Sequence, residues 1–227
     1  MQVHDGKRLL VPLYHGTSEI FLDSIRESGL GAKNPHVYLG TLELLQEIVD
    51  CGATHLSKDP KWTEKSTMVD AVLQQRSFDR GFNFRHGSAY VTSSRTTAVC
   101  YSLSNAHGSE LLSITLDLLR VVMDVDPNLA HDISRRHSEA SALLPMVDRY
   151  LLIEVVGVRL YQLQSGRGAY TASVLMLVER TVDYSEVMWQ QLNFELRAPV
   201  AGGSLNAYRI RRVGGDLISP LYDLEVL

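Results

Sequence analysis

Short apolar runs alternate with polar, glycine-containing stretches along the chain of 227 residues. The run LLVPLY at 9–14 is typical of a buried strand. Similar patterns follow in the second half, and one of them, 172–178, is equally compatible with a helix. The predicted strands after the first are 111–116, 151–159, 172–178, 193–198, 206–213 and 221–227.

Segments in which apolar residues recur at helical spacing lie mostly nearer the start of the chain. Residues 18–28 predict a helix that Ser18 can cap and Gly29 can end. Further helices are predicted at 41–51, at 67–76 and at 130–148, where Pro145 lies near an end. An early helical part followed by several short strands predicts an α+β fold with a mostly antiparallel sheet.

Composition narrows the class of protein. With 45% apolar and 21% charged residues, the chain is typical of a globular protein of one domain, with or without an insertion. It has no apolar run long enough for a membrane helix, and its start lacks the apolar segment of a signal peptide. The two cysteines, Cys51 and Cys100, make neither a disulfide framework nor a zinc set, which favours a reducing compartment.

The first block whose residues could bind a ligand or take part in catalysis is Tyr14-His15-Gly16-Thr17, predicted at the end of a strand and before a helix. Gly16 would allow a ligand to approach the backbone closely. The alternative is a strand-end histidine that forms only a turn hydrogen bond, and short motifs of this kind often arise by chance.

The second block is Gly87-Ser88-Ala89-Tyr90-Val91-Thr92-Ser93, followed by a helical stretch that Ser93 or Ser94 can cap. Tyr90 would end a strand, and Tyr101 would lie about two turns into the helix. Two such rings can hold a planar heterocycle between them. The alternative is that both tyrosines belong to the core.

The third block spans 193–200, in which polar and apolar residues alternate. Phe194, Leu196 and Ala198 would face one side of a strand, with Glu195 and Arg197 on the other. A solvated strand face and a functional carboxylate are both compatible with this pattern.

In their order and spacing, the three blocks resemble the His-Tyr-Glu branch of the ADP-ribosyltransferase superfamily, which includes diphtheria-toxin-like enzymes and the poly(ADP-ribose) polymerases. Residues 14–17 match the family's first motif, and FLDSIRESGL after them resembles its following helix. Tyr90 and Tyr101 have the family's spacing of eleven residues. Glu195, Arg197 and Pro199 match its Glu-x-Arg-x-Pro motif.

The chain also departs from the family's pattern. His15 and Tyr90 are 75 residues apart, which is wider than in compact members and indicates an insertion at about 35–80. The segment 37–41 (VYLGT) could be mistaken for the tyrosine motif, but it lacks a second tyrosine at the required distance. Asn193 stands where arginine-modifying members carry Glu, which counts against arginine as the acceptor.

The resemblance implies a fold and a nicotinamide site. The fold would be a single ADP-ribosyltransferase catalytic domain over 1–227, with split antiparallel β-sheets flanked by helices and a helical insertion. Gly16 would hold the nicotinamide amide through its backbone, and Tyr90 and Tyr101 would enclose the ring. Glu195 would bind the 2′-hydroxyl of the nicotinamide ribose and stabilise the cationic transition state.

The resemblance also implies how the rest of the substrate is bound. His15 would bind the adenosine-side ribose, and Thr17 would steady the motif. NAD is expected as a substrate, without a metal ion. In this superfamily the loop before the catalytic strand contacts the acceptor. Here that loop is 182–192, with Tyr184, Trp189, Gln190 and Gln191 as candidate contacts.

The function implied is mono-ADP-ribosylation of a macromolecule by a bacterial or phage effector or toxin. It would act in the cytoplasm and be neutralised by an antitoxin or immunity protein. A formal charge of −4 favours a protein acceptor over nucleic acid, although a local patch of Arg209, Arg211 and Arg212 could reverse that preference.

Three alternatives remain open from the sequence. An NAD glycohydrolase would use the same site with water as the acceptor. A binding module of the same fold would have no activity, which the intact set of His15, Tyr90 and Glu195 disfavours. A tRNA 2′-phosphotransferase would need additional Arg and His residues that have no evident counterparts here.

Overall fold

The computed structural model describes residues 2–66, 69, 73, 88–165, 171–180, 185–217 and 220–227. The chain divides into two compact units. The first comprises 1–33, 88–108 and 148–227, and the second comprises 34–87 and 109–147. The insertion predicted at 35–80 falls within the first segment of the second unit.

The strands of the first unit form one sheet of seven strands, in which every described pair is antiparallel. Their order across the sheet is β4-β5-β2-β1-β3-β6-β7. The prediction of an α+β fold with an antiparallel sheet is therefore confirmed. The strands are β1 (Leu13–Ser18), β2 (Tyr90–Thr92), β3 (Tyr150–Val155), β4 (Leu163–Ser165), β5 (Asn193–Leu196), β6 (Leu205–Gly215) and β7 (Pro220–Val226).

The two split sheets that the resemblance implies are one sheet in this structure. The joint between its two parts is narrow, because β1 and β2 share the single register pair Tyr14↔Thr92. By contrast, β1 pairs with β3 over six residues, from Leu13↔Val155 to Ser18↔Tyr150. The continuity of the sheet therefore depends on one bridge, and the strands on either side of it are independently paired.

Helices occur in both units. Those of the first unit are α1 (Leu22–Ser28), α5 (Arg95–Ser104), α9 (Thr171–Arg180) and α10 (Ser185–Trp189). Those of the second unit are α2 (Pro35–Tyr38), α3 (Thr41–His55), α4 (Pro60–Ser66), α6 (Glu110–Val125), α7 (Pro127–Arg136) and α8 (Ser138–Ser141). The predicted helix at 67–76 lies, except for residues 69 and 73, outside the described residues.

The start of the chain differs from its prediction. The strand expected at 9–14 begins at Leu13 and continues to Ser18, so His15 and Gly16 lie inside a strand and not at its end. Of the earlier apolar residues, Leu9 forms an isolated bridge with His4. Ser18 precedes a 3-10 turn at Glu19–Phe21 without a capping hydrogen bond from its side chain, whereas Gly29 ends α1 as predicted, with φ of 93°.

The strand predicted at 111–116 is wrong, because these residues lie inside helix α6. The apolar run LLSITL continues at helical spacing through Leu118, Leu119 and Val122, and the Ser109 side chain caps the helix by accepting from the Leu112 N–H. The helix buries this stripe in the second unit, where α3 and α4 pack against it. Its buried partners are Leu44, Leu45, Ile48 and Trp62.

Other predicted elements exist with shifted boundaries. The helix predicted at 41–51 is the longer α3, and the one at 130–148 is divided into α7 and α8 around His137. The ambiguous segment 172–178 lies in helix α9. The segment 37–41 is not a strand, because it comprises the end of α2, a turn at Leu39 and Gly40, and the start of α3.

Candidate active site

The sequence-predicted His15, Tyr90 and Glu195 meet where strands β5, β2 and β1 lie side by side. Next to the Tyr14↔Thr92 pair, a hydrogen bond from the His15 side chain connects β1 to β2. Its Nδ1 lies 2.7 Å from the carbonyl oxygen of Tyr90. A side chain thus stands in place of the next backbone hydrogen bond, and the strands separate at this point.

The separation leaves main-chain groups of Gly16 directed at β2. In an antiparallel ladder, alternate residues bond to the neighbouring strand on each side. The Glu19 N–H donates to the Arg149 carbonyl at the end of the β1–β3 ladder, so odd-numbered residues of β1 bond to β3. Even-numbered residues, including Gly16, consequently point their N–H and C=O toward β2, past the single bridge.

Packing requires a glycine at position 16. A Cβ atom at this position would overlap the carbonyl oxygen of Ala98 on helix α5. The same helix is bonded to the strand through Ser102, whose Oγ donates to the Thr17 carbonyl at 2.6 Å and accepts from the Leu151 N–H at 3.2 Å. Helix α5 therefore lies directly against β1 at the glycine.

Thr17 links strand β1 to a distant part of the first unit. Its side chain is buried, and its Oγ1 donates to the carbonyl oxygen of Gly108 at 3.1 Å. This bond ties β1 to the chain that follows helix α5. The position of His15 and Gly16 is consequently fixed from the strand side and from the helix side.

Tyr90 and Glu195 are direct cross-strand partners in the β2–β5 pair. Directly opposed residues share a face of the sheet, with Cβ atoms about 4.5–5.5 Å apart. The Glu195 side chain is only 15% exposed, and its Oε1 accepts from the Ser88 hydroxyl at 2.8 Å. The guanidinium of Arg197 approaches the same oxygen, with Nε at 3.9 Å.

Tyr101 lies on helix α5 and is 42% exposed. The residues that this helix buries against the sheet are Ala98, Val99, Ser102 and Leu103. Cys100 and Tyr101 therefore occupy opposite flanks of its outer ridge. Burial raises the pKa of Cys100, and the nearby carboxylate of Asp216 raises it further. Because Asp216 follows β6, the Cys100 flank lies nearer the end of β6, and Tyr101 lies on the other flank of the helix.

The hydrogen bond of His15 fixes its tautomer. A carbonyl oxygen only accepts, so Nδ1 carries the proton and Nε2 of the neutral ring is an acceptor. Burial lowers the pKa of His15, and the hydrogen bond to the Tyr90 carbonyl opposes this only in part. The ring is therefore neutral at pH 7, which suits Nε2 to accept a hydrogen bond from a hydroxyl group.

Only some of the candidate residues in the predicted acceptor loop are exposed. Trp189 is 7% exposed and packs against Phe194, with ring centroids 6.4 Å apart. It belongs to the core and does not face an acceptor. Gln190 and Gln191 are exposed, whereas Tyr184 lies outside the described residues.

The arginines on β6 are largely neutralised by nearby acids. Arg209 bonds to Glu19 at 2.5 Å and to Glu225 at 3.2 Å, and Arg211 bonds to Glu225 at 2.8 Å. Arg212 donates to the Gly215 carbonyl. Two of the three positive charges of the patch are therefore offset by Glu19 and Glu225, which reduces the charge available for phosphate binding.

Two residues of the site were missed by the sequence analysis. Ser88 was noted only as part of a motif, and Gln164 was not considered. Gln164 on β4 is the direct partner of Glu195 on the side away from Tyr90. Both positions depend on strand register, which the linear pattern does not contain.

In comparisons with known proteins, the chain matches no family model, no curated protein and no solved structure. Within the described ranges, every helix is too short or too polar to cross a membrane.

Proposed function

We propose that this chain is an NAD-dependent mono-ADP-ribosyltransferase. It would cleave the bond between nicotinamide and ribose and transfer ADP-ribose to a macromolecule. One observation carries the proposal. The Tyr90–Glu195 pair lies beside His15, which bonds to the Tyr90 carbonyl, so three distant segments meet at the opening of the sheet.

The opening between β1 and β2 suits the nicotinamide group. A carboxamide presents one acceptor and two donor hydrogens, and the Gly16 N–H and C=O offer the complementary pair. Tyr90 at the start of β2 and Tyr101 on α5 supply two rings for the planar heterocycle. Binding in this way would fix the leaving group before the bond breaks.

The bond cleavage itself needs a negative group near the ribose. Loss of nicotinamide leaves an oxocarbenium-like ribose, as in glycoside hydrolysis. Glu195, recessed beside Tyr90, would bind the 2′-hydroxyl of that ribose and stabilise the developing positive charge. The neutral His15 would accept from a hydroxyl of the adenosine-side ribose through Nε2.

The charges favour protein over nucleic acid as the acceptor. Arg209 and Arg211 of β6 are paired with Glu19 and Glu225, and the chain carries a formal charge of −4. The exposed amides of Gln190 and Gln191, just before β5, would contact the acceptor. A bacterial or phage toxin with a neutralising partner protein is a setting that fits this activity.

The test uses NAD labelled in its adenylate half, with and without cell extract. We expect extract to increase nicotinamide release and label to appear in the protein fraction rather than in RNA or DNA. Equal release without extract and no labelled macromolecule would establish the glycohydrolase instead. No release under either condition would support an inactive binding module and overturn the proposal.

A further inference from the structure

We propose that Ser88 is a positioning residue that orients the Glu195 carboxylate, an inference that rests on the proposed function. The Ser88 hydroxyl donates to Glu195 Oε1 at 2.8 Å, across 107 positions of sequence. A hydrogen bond to an ionised acceptor is stronger and more directional than one between neutral groups. Ser88 would therefore hold one orientation of the carboxylate among the several that a glutamate side chain can adopt.

The register of β2 and β5 explains why Ser88 reaches this oxygen. Tyr90 is opposite Glu195, and the Leu196 N–H donates to the Ala89 carbonyl just before β2. Continuing this register by one residue places Ser88 opposite Arg197. Ser88 and Glu195 are therefore diagonal neighbours on one face, a relation within reach of side chains.

The two oxygens of the Glu195 carboxylate differ in their contacts. Within the described part of the chain, the Ser88 hydroxyl and the Arg197 guanidinium both approach Oε1. Oε2 is then the oxygen presented to a substrate. A carboxylate held through one oxygen can keep the other in a fixed direction, which is the preorganisation that transition-state stabilisation requires.

Ser88 is well suited to this role and contributes little to packing. It is an exposed residue two positions before the first residue of β2, whereas the buried residues of that strand are Val91 and Thr92. Its removal should leave the strand pairing and the core unchanged. An effect on turnover would then come from the carboxylate and not from unfolding.

The experiment measures nicotinamide release by the full chain over a range of NAD concentrations. We expect Ser88→Ala to lower kcat about five- to tenfold, because a charge-assisted hydrogen bond at a partly exposed site is lost. KM should change less than about twofold, since NAD binding by Gly16 and His15 is untouched. The melting temperature should remain that of the wild type.

Two further variants make the test specific. Ser88→Thr retains the hydroxyl on a residue that strands favour, and should recover most of kcat. Ser138→Ala, which removes an exposed serine from the second unit, should leave both constants unchanged.

The two possible failures are distinguishable. If the wild type releases nicotinamide and Glu195→Gln does not, but Ser88→Ala keeps full kcat, then Ser88 does not position Glu195. A loss in Ser88→Ala that Ser88→Thr fails to restore, or that follows a lowered melting temperature, would also overturn the inference. If the wild type itself releases no nicotinamide, the proposed function fails first.

Discussion

The imidazole ring of His15 has a structural role and, under the proposed function, a chemical one as well. Its Nδ1–H closes the narrow joint of the sheet through the Tyr90 carbonyl, and burial keeps the ring neutral. The neutral state is what leaves Nε2 able to accept a hydrogen bond. The same desolvation that prepares the residue for binding should therefore make the fold sensitive to acid.

The pH dependence of stability tests this state. Because the pKa of folded His15 is lowered, an unfolded chain takes up a proton below about pH 6.5 that the folded chain resists. Stability from this residue is present above that pH and is lost as the pH falls toward the folded pKa. The loss should approach at most about 1.4 kcal/mol per pH unit.

Denaturant unfolding of the wild type and His15→Gln between pH 7.5 and 5 measures the difference. We expect the wild type to lose more free energy of unfolding on acidification than the variant does. The other histidines are common to both chains and cancel in the comparison. Parallel curves for the two proteins would show that His15 titrates normally.

Gly16 is a second residue at which geometry makes a firm prediction. Its α-hydrogen faces the Ala98 carbonyl of α5, which is main chain and cannot rotate away as a side chain would. Gly16→Ala should cost about 3 kcal/mol of folding free energy, at the upper end of overpacking effects. Chemical denaturation gives the value. Gly203→Ala, where a Cβ would meet open space, is the matched control and should change stability by less than about 0.5 kcal/mol.

A Gly16→Ala variant as stable as the control would mean that α5 does not approach β1 so closely. The placement of Tyr101 relative to Tyr90 would then lose its support.

At the scale of elements, a buried hydroxyl adds a hydrogen-bonded link between α5 and two strands. Ser102 Oγ is buried and bridges the Thr17 carbonyl and the Leu151 N–H. The helix begins at the cap that Ser94 provides by accepting from the Thr97 N–H, as predicted for Ser93 or Ser94. Helix α5 is thus fixed at its start by a cap and near its end by a bridge to the sheet.

Ser102→Ala should destabilise the protein by about 1 kcal/mol, because a buried hydrogen bond to the Thr17 carbonyl is lost while Thr17 and Leu151 stay paired in the β1–β3 ladder. Thr97→Ala, an exposed change on the same helix that leaves its N–H in place, should cost less than about 0.5 kcal/mol. Thermal or denaturant unfolding of both variants provides the comparison. Equal stabilities would show that the bridge contributes nothing beyond what the strands already provide.

Predictability from sequence also differs between elements. The strands β3, β5, β6 and β7 were recovered with small shifts, because their residues alternate or form short apolar runs between turns. The segment 111–116 was wrong, since a short apolar run fits a buried strand and a buried helix equally well. The length of the apolar stripe distinguishes a helix from a strand, because the stripe continues at helical spacing to Val122.

The residues of the candidate site also differ in whether the sequence predicts them. His15, Gly16, Tyr90 and Glu195 could be chosen from the order and spacing of short motifs. Ser88 and Gln164 could not, because their neighbourhood with Glu195 depends on the register of β5 against β2 and β4. Trp189 was assigned to a contact loop from its position in the chain, although its ring is part of the core.

At the scale of the whole molecule, the candidate site belongs to the first unit. That unit is assembled from three separate segments, which supply β1, then β2 with α5, then β3 to β7. The second unit is also discontinuous, because 109–147 joins 34–87. The sequence pattern indicates only the first of its two segments as an insertion, because the apolar run at 111–116 in the other fits a strand as well as a helix.

The central claim is that Glu195, held beside Tyr90 in the first unit, is the group that stabilises cleavage of NAD. The direct measurement is nicotinamide release from NAD by the purified wild type, by Glu195→Gln and by Asp223→Asn. The last variant removes an exposed carboxylate from β7 and serves as the control. We expect release by the wild type and the control at equal rates, and a loss of about a hundredfold or more in Glu195→Gln with little change in melting temperature. Absence of release by the wild type, or equal release by all three proteins, would contradict the account.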